Sequence, residues 1–211
     1  DTPIEVFLEL VKNPLFSNLV NVAITGGELT LRTDLEPLFH ALLENCPKLA
    51  SINLSSNAFL PDRLVELVDG LDRLRREKGS EFKIIVQISL DGPGQIHDTI
   101  RGVPGGFEKV ESAVARLRKR FKDKSQVEIY HLCVLQPSNI DSLDEIREYF
   151  DSIDIPVTFN MICDASYLEI NPETHPVLNG EMKGRLIAFY TDLIESETVD
   201  PRHKYHYREF K

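Results

Sequence analysis

The sequence is short of several things that would settle its class early. Among 211 residues there are three cysteines, Cys46, Cys133 and Cys163, all widely spaced. They make no disulfide framework and no two have metal-ligand spacing, so a reducing cytoplasm is the default location. No apolar run approaches the roughly 20 residues that cross a bilayer, and no membrane span is expected. The opening DTPIEVFLELV is acidic and helical in pattern, unlike a signal peptide. Basic charge is also scarce, with 34 acidic residues against 24 basic ones and a net charge of -10. The one basic run, RLRKRFKDK at 116–124, reads as the solvated face of a helix, which disfavours nucleic acid as a partner. There is no GxGxxG, no GxxxxGK and no GxSxG, and GVPGGF lacks the lysine of a phosphate loop.

What is present is a strict alternation. PIEVFLELVK at 3–12 has helical spacing, and VNVAIT at 20–25 is an apolar strand. Thr33 and Glu36 have capping-box spacing for a helix over about 34–45. SINLSS at 51–56 is a second strand, and Pro61 opens a long helix that stops at Gly79. KIIVQISL at 83–90, VEIYHLCVL at 127–135 and PVTFNMI at 156–162 are three further strands. Helices are expected over 105–120, over 142–152 behind a Ser142–Glu145 box, and over 180–196. Near-continuous apolar strands separated by single helices imply a parallel α/β sheet, in an open or barrel form, with functional residues at the strand carboxyl ends.

Those ends are polar. After the first strand come Thr25, Gly26, Gly27 and Glu28, and after the second Ser55, Ser56 and Asn57. Ser89, Asp91 and Gly92 follow the third, and Gln136, Ser138 and Asn139 the fourth. Together they could line a pocket for a zwitterionic ligand, although each is also an ordinary turn former. His97 and Asp98 are expected on a loop, capped or solvated, and His203 and His206 as non-ligands.

Taken in order, these segments resemble the radical S-adenosylmethionine superfamily, especially its peptide-modifying and sulfatase-maturing branch. ITGGELTLR is similar to the family's GGE motif, and SLDGPGQIHDTIRGVPGGF to its SLDG…HD…RG…GGF segment. LSSN stands where TNG is common, and VLQPSNIDSLDEIREYF resembles the segment after a later strand. The resemblance covers residues 1–165 and implies a partial (β/α) barrel core there, with 166–211 as a helical extension. It also implies that Gly26, Gly27 and Glu28 hold the ammonium of S-adenosylmethionine, flanked by Thr25. Ser89 and Arg101 would take its carboxylate, Ser55 and Asn57 would lie near the ribose, and Asp91 and Asn139 would belong to the same cofactor rim.

The family's CxxxCxxC loop, whose thiolates hold a 4Fe-4S cluster, does not occur in these residues. In the family it follows a first strand upstream of the helix with which this sequence opens. The opening residue, Asp1 rather than methionine, fits the expectation that strand and loop lie ahead of it. Smaller departures are Leu29 where proline is usual and Ala58 where glycine is usual. For the whole protein the resemblance implies a radical enzyme that abstracts hydrogen from an unknown peptide or small-molecule substrate, served by flavodoxin or ferredoxin. These residues alone would be inactive. The alternative is a non-catalytic module that binds S-adenosylmethionine or a nucleotide without a cluster. Cys46 is expected away from the ligand loops, because it precedes a strand, and Cys133 as a small buried hydrophobe. The last residues, VDPRHKYHYREFK, resemble the approach to a cysteine-rich auxiliary-cluster region.

Overall fold

The alternating patterns become five strands of one parallel sheet, in the hydrogen-bonded order β1-β2-β3-β4-β5. The computed structural model describes residues 2–162, 178–196 and Tyr207. Cys163, His203, His206 and most of the expected 166–211 extension lie outside the described residues. The strands are β1 (Asn21–Ile24), β2 (Ser51–Ser56), β3 (Lys83–Ser89), β4 (Val127–Leu135) and β5 (Val157–Met161). The helices are α1 (Ile4–Val11), α2 (Glu36–Asn45), α3 (Pro61–Glu77), α4 (Gln95–Arg101), α5 (Gly106–Phe121), α6 (Leu143–Ser152) and α7 (Gly180–Glu195). The chain divides into two compact units: Asp1–Ser89 with Gly105–His131, and Leu90–Pro104 with Leu132–Lys211.

In the first unit the register is unbroken: Asn21 pairs with Ser51 and Ser51 with Lys83, while Ile24 pairs with Leu54 and Leu54 with Val86. One face of β2 and β3 is apolar and wholly buried through Ile52, Leu54, Ile84, Val86 and Ile88. Leu64 and Val68 of α3 and Val110, Ala113 and Leu117 of α5 are equally buried, and α3 packs on α5. The strands are not apolar throughout, as their composition suggested. Residues on the other face, Ser51, Asn53, Ser55, Gln87 and Ser89, are only half-buried and polar, with Ile85 the apolar residue among them. β1 alternates exposed and half-buried residues, as befits its place at the end of the strand order. Beside it lies an apolar cavity of about 250 Å³, lined among others by Phe7, Phe16, Leu19, Val22, Ile24 and Leu38.

Helix starts depart from the capping expectations. Leu35, not Thr33, precedes α2, with no side-chain cap. Asp34 instead makes a two-point pair with Arg32, and a proline in the first turn of α2 supports the start of the helix. Ser142 does precede α6 but makes no capping bond. Residues 95–101, expected on a loop, form α4, and its His97 is fully buried. Seven residues are too few for an apolar period to show in sequence.

In the second unit an aromatic chain carries the packing. Phe150, Phe159, Phe189 and Tyr190 stack edge to face at centroid separations of 5.1–5.9 Å, and Tyr190 tilts against Tyr207 at 5.5 Å. The Tyr207 hydroxyl accepts a hydrogen bond from the Phe159 backbone N–H, which satisfies a polar atom inside this cluster.

The first unit also buries one carboxylate. Asp72 is fully buried in α3, where Arg75, Arg76 and Lys124 surround it and Arg75 also reaches the Ser80 carbonyl. Burial alone would raise its pKa, but hydrogen bonds from Lys124 and Arg75 outweigh that and lower it. Asp72→Asn should therefore destabilise the protein by about 3 kcal/mol, the lower end for breaking a buried ion pair, because Lys124 keeps access to water. Denaturant unfolding at neutral pH checks this.

Candidate functional site

Where β1 ends, Thr25, Gly26 and Gly27 are exposed. Gly26 has φ +149°, a conformation that favours glycine, and a Cβ on Gly26 or Gly27 would meet nothing within 4 Å. The backbone here borders open space. Glu28 follows, half-buried, and its side chain caps a 3₁₀ turn over Leu29–Leu31. Its Oε1 accepts from the Thr30 N–H (3.0 Å), the Thr30 hydroxyl (2.7 Å) and the Ser56 hydroxyl (2.8 Å). Among the described residues, its Oε2 accepts only from the Asn57 N–H, at 2.7 Å. Oε1 is thus saturated, while Oε2 retains capacity for one more donor. Thr30 and Ser56, which turn a motif glutamate into a bridge between two strand ends, were not singled out for this in the sequence.

The β2 end is a tight turn. The Ala58 N–H donates to the Ser56 hydroxyl and the Phe59 N–H to the Asn57 side-chain oxygen, both at 2.9 Å. Ala58 has φ +57° with its methyl fully buried, the left-handed conformation expected where glycine is usual. Leu29, at the usual proline position, is buried and starts the 3₁₀ turn.

In the second unit, Asp91 and Asn139 are each about 1% exposed. The Asp91 carboxylate accepts from Arg101 Nε at 2.6 Å and from the Val134 N–H at 3.2 Å. Its N–H donates to His97 Nδ1 (3.2 Å) and its carbonyl accepts from Asn139 Nδ2 (3.0 Å). Asn139 Nδ2 also reaches the Val134 carbonyl at 3.0 Å, and its Oδ1 accepts from the Gln136 N–H at 2.8 Å. Gly92 keeps this turn narrow: its φ is +148°, and a Cβ would come within 2.7 Å of Ile96 Cγ2. Arg101 is the last residue of α4, and its side chain is 31% exposed. Its ion pair uses Nε, and among the described residues its terminal nitrogens make no hydrogen bond.

Ser55 and Ser89 are half-buried on the polar face of β2 and β3. Two residues before Ser55, Asn53 Nδ2 donates to the Tyr130 hydroxyl at 3.2 Å, and that hydroxyl donates to Gln87. Asn53 Oδ1 is buried without a hydrogen-bond partner. Asn53, Gln87 and Tyr130 were missed as functional candidates, although the polar alternation in SINLSS and KIIVQIS is the signal that marks this face.

The Radical SAM superfamily, as a family model, matches residues 1–150. The chain belongs to the radical SAM superfamily. No curated protein matches it. Among solved structures it is similar to native anSMEcpe with bound AdoMet and the Kp18Cys peptide, at TM-score 0.67 and 24% identity over 92% of this chain and 52% of that one. It is similar to native anSMEcpe with bound AdoMet and the Cp18Cys peptide at TM-score 0.66 and 24% identity, with the same coverage. Native anSMEcpe with bound AdoMet alone gives TM-score 0.66 and 24% identity over 92% of this chain and 51% of that chain. At this identity the likeness speaks for the partial-barrel fold. The chain spans about half the length of these solved relatives.

The two cofactors of a radical SAM fold meet different donor sets. Within the first unit, the open glycine backbone and Glu28 Oε2 have acceptor capacity of the kind an ammonium needs, and within the second the unbonded end of Arg101 has paired donors of the kind a carboxylate needs. Both fit S-adenosylmethionine. A 4Fe-4S cluster finds no such match: Cys46 and Cys133 are buried, and burial raises both thiols above their usual range. No group of three metal-binding side chains exists among the described residues.

Two measurements test this geometry. In Glu28→Gln one end of the amide must face a backbone N–H whichever way it turns, so stability should fall by about 1–3 kcal/mol in denaturant unfolding. His97 should give a pH signature, because burial lowers its pKa, aided by Arg101 and opposed by Asp91 and Asp98. On acidification the unfolded chain takes up that proton first, near pH 6.5, so stability should fall below about pH 6.5 until the lowered folded pKa is passed. His97→Asn, which can still accept from Asp91, should flatten that slope.

Proposed function

We propose that this protein is the core of a radical S-adenosylmethionine oxidoreductase, with residues 1–165 as its barrel body and 166–211 as an extension. The observation that carries the assignment is the Glu28 carboxylate, held by Thr30, Ser56 and Asn57 with Oε2 still able to accept, next to the open backbone of Gly26 and Gly27. That arrangement suits the methionyl ammonium, since an ionised carboxylate adds a charge-assisted bond to the neutral backbone acceptors. Thr25 flanks it. Arg101 suits the methionyl carboxylate through its terminal nitrogens, with the Ser89 hydroxyl as a further donor, and the Ser55 and Asn57 side chains suit the ribose hydroxyls.

When bound and reductively cleaved, S-adenosylmethionine supplies a 5′-deoxyadenosyl radical for hydrogen abstraction. The reducing 4Fe-4S cluster needs thiolates that the described residues do not offer, so this assignment assigns them to other parts of the whole protein. A cytoplasmic setting and a flavodoxin- or ferredoxin-type electron donor go with it. The substrate we favour is a peptide. Support comes from the peptide bound to anSMEcpe and from the amide-rich face of Asn53, Gln87 and Tyr130, where the unmatched Asn53 Oδ1 would accept a peptide N–H.

The second reading is a module that binds S-adenosylmethionine or a nucleotide without redox chemistry, which the Glu28 and Arg101 groups would serve equally well. Anaerobic iron–sulfur reconstitution separates the two. The 211 residues alone should show no cluster charge-transfer absorbance and form no 5′-deoxyadenosine. The whole protein should do both under reduction. A whole protein that binds S-adenosylmethionine yet takes up no cluster would establish the binding module instead.

A further inference from the structure

Asp91 stands in the sequence among the residues expected to touch the cofactor, yet every polar atom it has is already taken. Its N–H goes to His97 Nδ1, its carbonyl to Asn139 Nδ2, one carboxylate oxygen to the Val134 N–H and the other to Arg101 Nε. With about 1% exposure it offers a ligand no surface. We propose that Asp91 is a positioning residue, buried and held at three points by His97, Asn139 and Val134, that fixes Arg101 through Nε and aims its two terminal nitrogens at the carboxylate of an amino-acid ligand. The inference rests on the assignment of Arg101 to the methionyl carboxylate made above.

Three features support it. Arginine is long and rotamer-rich, and a single strong bond at Nε removes most of that freedom while leaving the Nη1–Nη2 edge able to form a two-point fork with a carboxylate. The clamp is itself held rigid. Asn139 joins the Asp91 and Val134 carbonyls, Gly92 admits no side chain, and Gly102 closes α4 directly after Arg101 with its N–H directed to the Asp98 and Thr99 carbonyls. Finally, the pair is electrically balanced. His97 accepts at Nδ1 and is neutral, so Asp91 cancels the Arg101 charge, and any preference for an anion must come from the direction of the donors.

That balance sets two explanations against each other. Plain electrostatics says that removing the Asp91 charge strengthens anion binding, whereas positioning says that it weakens it. The test compares S-adenosylmethionine with decarboxylated S-adenosylmethionine, which keeps the ammonium, sulfonium and adenosine and lacks only the carboxylate. Calorimetry on the 211-residue chain should give a preference of about ten- to a hundredfold for the first, the factor of a charge-assisted hydrogen bond. Arg101→Met should remove most of that preference, leaving only what the Ser89 hydroxyl supplies, about threefold or less, and Asp91→Asn should reduce it about fivefold or more despite the added positive charge. A wild-type chain that binds neither probe or does not discriminate between them overturns the Arg101 assignment and this inference together. So does an Arg101→Met variant that keeps the preference. If Arg101→Met removes most of the preference while Asp91→Asn preserves or raises it, the positioning inference alone falls. Should Asp91→Asn not fold, nitrogen-15 NMR of the wild type decides. The Arg101 Nε–H should exchange slowly and stay put when S-adenosylmethionine is added while the Nη signals shift, and an Nε–H exchanging as fast as in exposed arginines overturns the proposal.

Discussion

Parallel pairing is the constraint from which the rest of this structure follows. Two parallel strands cannot be joined by a tight turn, so each step from β1 to β2 to β3 needs a crossover, supplied by α2 and α3. The unbroken register then brings Ile24, Ser56 and Ser89 to the same edge of the sheet. Residues 28 positions apart in the chain become neighbours there, and the Glu28 carboxylate can reach both the Ser56 hydroxyl and the Asn57 N–H.

At the strand ends of each unit the polar groups first satisfy one another. A carboxylate drawn out of water must be hydrogen-bonded or paired, and Glu28 and Asp91 solve this in different ways. Glu28 collects four donors and keeps one oxygen with capacity left. Asp91 has both oxygens engaged and is closed to a ligand by burial, and it passes its influence outward through Arg101. Residues written side by side in a motif therefore divide into those that can meet a ligand and those that hold the first kind in place.

The sheet divides its faces by the same logic. Ile52, Leu54, Val86 and Ile88 pack under α3 and α5, and alternation alone sends Asn53, Ser55, Gln87 and Ser89 to the opposite side. An ordinary two-sided α/β sheet would carry apolar residues on both faces. The amide-lined face, with one buried carbonyl oxygen unmatched, is what a surface built to receive a polar ligand looks like.

Much of this was legible in the sequence by itself. Among the described residues, periodicity located the five strands and six of the seven helices α1–α7 to within a few residues, because runs such as KIIVQISL and DRLVELVDGLDRL carry their burial pattern in the chain. The ordered segments around Glu28, Ser89 and Arg101 carried the family resemblance that the match over residues 1–150 bears out. Local sequence could not say that α4 exists, since a seven-residue helix held by one buried histidine has no period to read. Nor could it say that Thr33 would yield its capping place once Asp34 paired with Arg32. Hydrogen-bond partners distant in sequence lay furthest out of reach. That Ser56 would bind Glu28, and that Asp91 and Asn139 would be buried behind Arg101, depends on which strand ends the parallel sheet brings together. A residue's chemistry is written in its own side chain, but its availability to a ligand is set by neighbours that only the tertiary fold supplies.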